Sequence, residues 1–304
     1  MAVRPIRPSA CWPTERRSKM RSVVSEWPLV VFTSVAPLCA GAWIVTALLA
    51  LFDVFPEVTL LTTGFTGTFF CLLLAAALAC STLHLGKPAA ALRAFMRLGN
   101  SAVSNEVFAG VLFVVACCLY VLVSQNLIAA GDMWKIPLAF VAGCAGLFVL
   151  FQCLAYRMRT VPTWHSPSFS VEFAVIALLG GVVAEGVILC GGQLGDGTVR
   201  QGLVVAEVLC CAAAVFVVHA QGAVVAKNVR RRRDAYRLLE QWNVLGAVRV
   251  LAIVAGSTLW AFGMLGASAS LTWAITGAAL VMAAIVAGRY SFYRFYANVG
   301  LPQD

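Results

Sequence analysis

The stretch VFAGVLFVVACCLYVLVSQN, residues 107–126, contains twenty residues and no charged side chain. A hydrocarbon core about 30 Å thick needs roughly 20 apolar residues in an α-helix, so this stretch is long enough to cross a membrane. Seven other stretches meet the same requirement. The predicted spans lie near 28–52, 60–83, 107–126, 137–156, 171–190, 202–226, 244–265 and 270–288.

The overall composition also indicates an integral membrane protein. The chain is 61% hydrophobic and 12% charged, whereas soluble domains are about 45–50% apolar and about 25% charged. The spans do not show the ten-residue alternation of a membrane β-barrel, so the predicted fold is an all-α bundle of eight transmembrane helices. Residues 1–25 are basic and lack an apolar run. They are predicted to form a disordered extension before a membrane domain at 26–304.

The positive charges are concentrated on one side of the predicted bundle. On this topology, 19 of the 22 cationic residues lie in the amino-terminal segment, in the second, fourth and sixth loops, or after the last span. The positive-inside rule would make this face cytoplasmic. Docking of an acidic partner would attract cations for a different reason, so both interpretations remain open. Nucleic-acid binding is not expected, because the basic segments lack interleaved aromatic residues.

The eleven cysteines do not form a motif. No C-x-x-C is present, and most of the thiols are spread singly or as adjacent pairs through the spans. Zinc and iron–sulfur sites need several thiolates at short spacings. The cysteines are therefore predicted to pack as small apolar side chains, and no metal site is expected.

The loop between the second and third spans reads HLGKPAAALRAFMRLGNSAVSNE, residues 84–106. Pro88 can begin a helix and Gly99 with Asn100 can end it, so a short interfacial helix is predicted between the two spans. His84 lies at one end of the loop and Glu106 at the other, and Ser104 is a predicted N-cap of the third span. Both ends return to the same membrane face. The imidazole and the carboxylate are therefore predicted to share one pocket.

A quinol site would use these two residue types. Quinol oxidation releases two protons with two electrons, so an imidazole can hydrogen-bond a ring oxygen while a base accepts a proton. A carboxyl group removed from water can have its pKa raised towards neutrality and serve as that base. The alternative is structural: Glu106 belongs to a capped helix end, and His84 bonds a carbonyl group.

Other ionisable residues inside the spans support rival hypotheses, because such residues are costly in a membrane. Glu185, Glu207 and Arg249 could form the midplane site of a proton-coupled transporter. His84 and His219 could ligate one haem. Two haems would need four histidines, and the chain has three.

The 84–106 stretch closely resembles the second loop of the membrane anchor subunit of bacterial dimethyl sulfoxide reductase, the DmsC-like family. Shorter pieces agree in the same order along the chain. They are SEWPLVVFT at 25–33, TVPTWHS at 160–166, GRYSFY at 288–293 and VGL at 299–301.

The resemblance implies an anchor that oxidises menaquinol in the bacterial plasma membrane during anaerobic respiration. Its partners would be an iron–sulfur electron-transfer subunit and a molybdopterin catalytic subunit, and the anchor would carry no haem and no iron–sulfur cluster. It would supply quinol oxidation but not the terminal reductase site. An anchor of another sulfur-compound reductase or molybdoenzyme is the related alternative.

In this family the histidine and glutamate of the loop are implicated in menaquinol oxidation, which assigns that role to His84 and Glu106. Asn105, Ser104 and Arg93 are predicted to lie around them and to support binding. The family is generally pictured with this face outward, whereas the charge count favours the inner face, and both orientations remain open.

Overall fold

The computed structural model describes residues 26–54, 65–83, 96–128, 131–229, 235–266 and 270–295. The predicted extension at 1–25 lies outside the described residues. Eight α-helices account for most of the described residues, which confirms the all-α prediction. They are α1 (Trp27–Leu51), α2 (Phe65–Thr82), α3 (Ala102–Ile128), α4 (Lys135–Ala155), α5 (Pro167–Gly192), α6 (Gly197–Val229), α7 (Ala235–Leu265) and α8 (Leu271–Arg294).

Seven of these helices, all except α2, are long and apolar enough to cross a membrane. An apolar helix that satisfies its own backbone polar groups is one of the few structures that can span lipid, which explains why the apolar runs become helices. Helix α2 has 18 residues in the described structure. The beginning of its predicted span, 60–64, lies outside the described residues.

Helices α1 and α5 form the centre of the bundle. Helix α1 packs against α2, α4, α5 and α8, and α5 also contacts α4, α6 and α8. Helices α3 and α4 pair on one side of this centre, and α6, α7 and α8 pack in succession on the other. Large apolar side chains on α3 and α6, such as Leu122 and Phe216, are exposed, as expected for helices that face lipid.

One end of the bundle contains a second apolar cluster, and we call it the Trp27 end after the first residue of α1. This cluster joins the beginnings of α1, α5 and α7 to the ends of α6 and α8. Its buried members are Val30, Phe169, Val225, Val229, Trp242, Phe292, Tyr293 and Phe295. The prediction that the helix ends next to the cation-rich loops share one face is therefore confirmed for these five helices.

The interfacial helix predicted between the second and third spans lies mostly outside the described residues, which resume at Met96. Residues 96–100 form a tight turn, in which the backbone nitrogens of Asn100 and Ser101 both donate to the Arg97 carbonyl. Gly99 has a φ of +79°, a conformation that glycine adopts without a steric penalty. This turn lies where the predicted interfacial helix would end, and the helix itself stays a prediction.

The predicted N-cap of the third span is wrong. Helix α3 begins at Ala102, five residues before the predicted span, and Ser101 precedes it. The Ser101 hydroxyl accepts a hydrogen bond from the Ser104 backbone nitrogen at 3.4 Å. Serine at either position can cap a helix, and the early turn at Gly99 selects the first one.

Candidate functional site

Glu106 lies in the second turn of α3 and faces the interior of the bundle. Its side chain is buried, with 5% of its surface exposed. Its Oε1 atom has no hydrogen-bond partner among the described residues. A buried carboxyl group without a full set of partners is costly, so Glu106 is a candidate ligand-binding group rather than a helix cap.

The two neighbours of Glu106 in the sequence have different environments. Ser104 is buried with 5% exposure. The Asn105 side chain accepts a hydrogen bond from the Gly99 backbone nitrogen at 2.8 Å through its Oδ1 atom. Asn105 therefore fixes the turn that begins α3. His84 and Arg93 lie outside the described residues, so the predicted convergence of His84 with Glu106 stays a prediction.

Gln152, near the end of α4, lies beside Glu106. Its side chain is completely buried. Neither its amide nitrogen nor its amide oxygen has a hydrogen bond of ordinary geometry within the described residues, so its contact with Glu106 is close without being a well-formed bond. Sequence analysis missed Gln152, because a neutral amide in an apolar span carries no charge.

A pair of tyrosines lies next to this position at the Trp27 end. The Tyr293 hydroxyl donates to the Tyr156 hydroxyl at 3.1 Å. The Trp164 ring stacks on Phe292 with 4.6 Å between centroids, and the Trp164 indole nitrogen donates to the Phe292 carbonyl. Two of the short sequence pieces that carry the family resemblance, at 160–166 and 288–293, therefore pack against each other.

Near the two tyrosines, the Glu172 carboxylate forms ion pairs with two buried arginines, Arg249 and Arg289. The Glu172 Oε1 atom lies 2.6 Å from the Arg249 guanidinium, and Oε2 forms an ion pair with Arg289. Gln221 donates to Glu172 at 2.8 Å. The Arg289 guanidinium also lies 4.3 Å from the centre of the Phe173 ring, within the range of a cation–π contact.

This ion cluster corrects two parts of the sequence interpretation. The predicted topology puts Arg289 after the last span, among the cations of the exposed face, but it lies inside α8 and is fully buried. Glu172 was missed, although it falls near the start of the predicted span 171–190 and a charge in a span is itself a signal. Arg249 pairs with a carboxylate, which identifies a structural partner for one of the ionisable residues inside the spans.

The residues of the transporter hypothesis do not share a site in the structure. Arg249 pairs with Glu172, while the Thr46 hydroxyl donates to Glu185. Glu207 lies beside Ser257 on α7. These different partners argue against one midplane site.

His219, the second residue of the single-haem hypothesis, faces outward. Its side chain is exposed, and its Nδ1 atom lies 2.9 Å from the Val215 carbonyl on the same helix. This position is separate from the buried polar groups of the Trp27 end. A lipid-facing imidazole that bonds its own helix does not support a ligand role.

Several cysteines that are distant in the sequence meet inside the bundle. Cys39, Cys71, Cys118 and Cys144 lie near enough to Cys117 to interact with it electrostatically, and the Cys71 and Cys118 sulfur atoms are 3.3 Å apart. Within the described ranges, no group of three or more His, Cys, Asp or Glu residues has the arrangement of a metal site. Most of these thiols are buried and pack among apolar side chains, in line with the packing interpretation.

Two apolar cavities lie away from Glu106. One of about 500 Å³ is an open groove lined by α1, α2, α5 and α8, and its lining includes Phe69 and Met282. The other, of about 580 Å³, lies between α1, α5 and α6 near Asp196. Neither of these two cavities is lined by Glu106, Gln152 or Glu172.

These features define a multi-pass integral membrane protein with a buried polar site at one end of its helical bundle. The family model described as DMSO reductase anchor subunit (DmsC) matches residues 20–295. The chain belongs to this family.

Individual relatives agree with the family match. The protein is 28% identical over 284 residues to the anaerobic dimethyl sulfoxide reductase subunit YnfH of Escherichia coli, covering 91% of this sequence and 96% of the relative. It is 27% identical over 286 residues to another anaerobic dimethyl sulfoxide reductase subunit of the same organism, with the same coverage. An anaerobic dimethyl sulfoxide reductase subunit from Haemophilus influenzae is 30% identical over 175 residues, covering 56% of this sequence and 61% of the relative.

Proposed function

We propose that this anchor subunit binds menaquinol at the Trp27 end of the bundle and oxidises it. The observation that carries the proposal is the buried Glu106 carboxyl group, which has an unpartnered oxygen and is the last residue of the 84–106 stretch that carries the family resemblance. His84 orients a ring oxygen, and Glu106 accepts a proton. The oxidation releases two electrons and two protons, and the proton that Glu106 does not take leaves to water at this membrane face.

The electrons pass to an iron–sulfur subunit, which delivers them to a molybdopterin catalytic subunit. The relatives are named as parts of anaerobic dimethyl sulfoxide reductases, which supports an assembly of this type in the bacterial plasma membrane. Cations around the Trp27 end, such as Arg157 and Arg237, favour an acidic docking surface on the partner. Dimethyl sulfoxide is the acceptor that the family name supports.

Replacing Glu106 with Gln is expected to lower the rate of quinol-dependent turnover by at least about 100-fold. This is the usual contribution of a positioned general base. The amide keeps the size and polarity of the side chain but does not accept the proton. The measurement uses membranes that contain the complete complex, with menadiol as the donor and dimethyl sulfoxide as the acceptor. Turnover with reduced benzyl viologen, which bypasses the quinol site, should stay unchanged.

Glu207→Gln is the matched control, since Glu207 is also a buried carboxyl group but lies beside Ser257, away from the Trp27 end. It should keep normal turnover with both donors. His84→Ala should show the same selective loss as Glu106→Gln. Normal menadiol turnover in Glu106→Gln would refute the proposed function.

A further inference from the structure

The Gln152 side chain is a buried polar group that the proposed function does not yet use. It is 0% exposed, and neither end of its amide has a partner of ordinary geometry among the described residues. Leaving a buried polar group unsatisfied costs about 1–3 kcal/mol. Inside lipid the cost is larger, because water is not available to bond the amide. A partner outside the protein's own described side chains would remove this cost.

The position of Gln152 identifies the kind of partner. It lies on α4 beside Glu106 on α3, and Glu106 also has an unpartnered oxygen. Two neighbouring helices therefore place these polar side chains next to each other, and each keeps at least one atom without a well-formed hydrogen bond. Each side chain is more than nine-tenths buried. Ligand sites in proteins typically contain a few such convergent polar groups, and a small polar group of a ligand could bond both side chains at once.

An amide is well suited to a ligand that changes its redox state. A quinol presents hydroxyl groups that donate hydrogen bonds, whereas the quinone product presents carbonyl groups that accept them. The Gln side chain carries both an acceptor oxygen and a donor NH₂ group, so it can bond either form. An ionised carboxylate can only accept. Glu106 and Gln152 can therefore have different tasks at one ring.

We propose that Gln152 is a second binding residue for the quinol ring, beside Glu106. Its amide oxygen accepts a hydrogen bond from a quinol hydroxyl, and after oxidation its amide nitrogen donates to the corresponding quinone carbonyl. The quinol loses two electrons to the iron–sulfur subunit and two protons, one to Glu106 and one to water at this membrane face, while Gln152 neither gains nor loses a proton. This inference rests on the proposed function.

The test replaces Gln152 with Met, which keeps the length and approximate volume of the side chain but removes the amide. One lost hydrogen bond corresponds to a change of about three- to tenfold in affinity. In membranes with the complete complex, the KM for menadiol should rise by about this factor, while reduced benzyl viologen supports normal turnover. The matched control is Ser257→Ala, which removes a buried hydroxyl beside Glu207 and should leave the KM unchanged.

A purely structural role for Gln152 would give the opposite result. Removing an unsatisfied amide would then leave the KM for menadiol unchanged, and this outcome would overturn the inference. Gln152→Asn provides a second variant if Gln152→Met lowers the amount of assembled complex. The Asn side chain keeps the amide but is one methylene shorter, so the amide no longer reaches the quinol ring. This variant should therefore also raise the KM for menadiol.

The failure of this inference can be distinguished from the failure of the proposed function. If the native complex does not oxidise menadiol, or if Glu106→Gln keeps native turnover, both fail together. If Glu106→Gln loses turnover while Gln152→Met and Gln152→Asn keep the native KM, only the assignment of Gln152 is wrong.

Discussion

Replacing Glu172 with Leu is expected to destabilise the membrane domain by about 3–5 kcal/mol. Glu172 is the carboxylate that pairs with both Arg249 and Arg289. Its removal leaves two guanidinium groups buried without a counter-ion, and Arg289 is fully buried. Breaking a buried ion pair on one side is strongly destabilising, because the remaining charge is neither hydrated nor compensated.

The measurement is the amount of folded protein recovered from membranes, followed by thermal unfolding of the purified complex in detergent. The variant should be recovered in much lower amounts and should unfold at a lower temperature. Asp53→Asn is the control. Asp53 pairs with Lys135 at 2.7 Å, a similar distance, but 75% of its side chain is exposed. Exposed pairs contribute little, so this variant should behave like the native protein.

A triple variant separates the charge effect from a loss of shape. Glu172→Leu combined with Arg249→Met and Arg289→Met removes the whole cluster instead of one member. Replacing a buried ion cluster with apolar residues of similar volume is often neutral or stabilising. The triple variant should therefore recover most of the stability that Glu172→Leu loses. If Glu172→Leu alone keeps native stability, Glu172 does not compensate the buried charges of Arg249 and Arg289, and this prediction is wrong.

The ion cluster also shows what sequence reasoning could not provide. The apolar runs predicted the helices because lipid allows few other structures for a run of about twenty apolar residues. The same runs do not show which helices are neighbours. Glu172 bonds Arg249, 77 positions away, and Glu106 lies beside Gln152 on the next helix. Such pairs depend on helix packing, which periodicity alone does not specify.

Helix boundaries were predicted less well where polar residues continue a helix beyond the apolar run. Helix α7 begins at Ala235, whereas the span was predicted from 244, and α6 continues to Val229 beyond the predicted 226. Arginine, lysine and glutamate are good helix formers, so the helix need not end where the lipid ends. Glu106, one member of the candidate site, was singled out from residue chemistry and position. Gln152 required the structure, because an amide in an apolar span gives no charge signal.

The second large effect is expected at the crossing of α1 and α5, where Gly41 and Gly181 allow the two backbones to touch. A Cβ atom on Gly41 would overlap the Ala177 carbonyl group, and one on Gly181 would lie 2.8 Å from the Ala42 nitrogen and overlap the Gly41 carbonyl. Small residues at a membrane helix interface commonly permit such close approach. Because the obstacle is backbone, it cannot move aside as a flexible side chain would.

Gly41→Ala and Gly181→Ala should each destabilise the bundle by about 3 kcal/mol or more, at the upper end of the range for overpacked cores. The two central helices must separate to admit the methyl group, and this disturbs the packing of α4 and α8 on them. The measurement is again the amount of folded protein recovered from membranes and its thermal unfolding in detergent.

Gly143→Ala is the matched control, because a Cβ atom there meets nothing within 4 Å. It should be neutral or slightly stabilising, since alanine favours a helix more than glycine does. Native stability of both Gly41→Ala and Gly181→Ala would mean that α1 and α5 do not cross as closely as described.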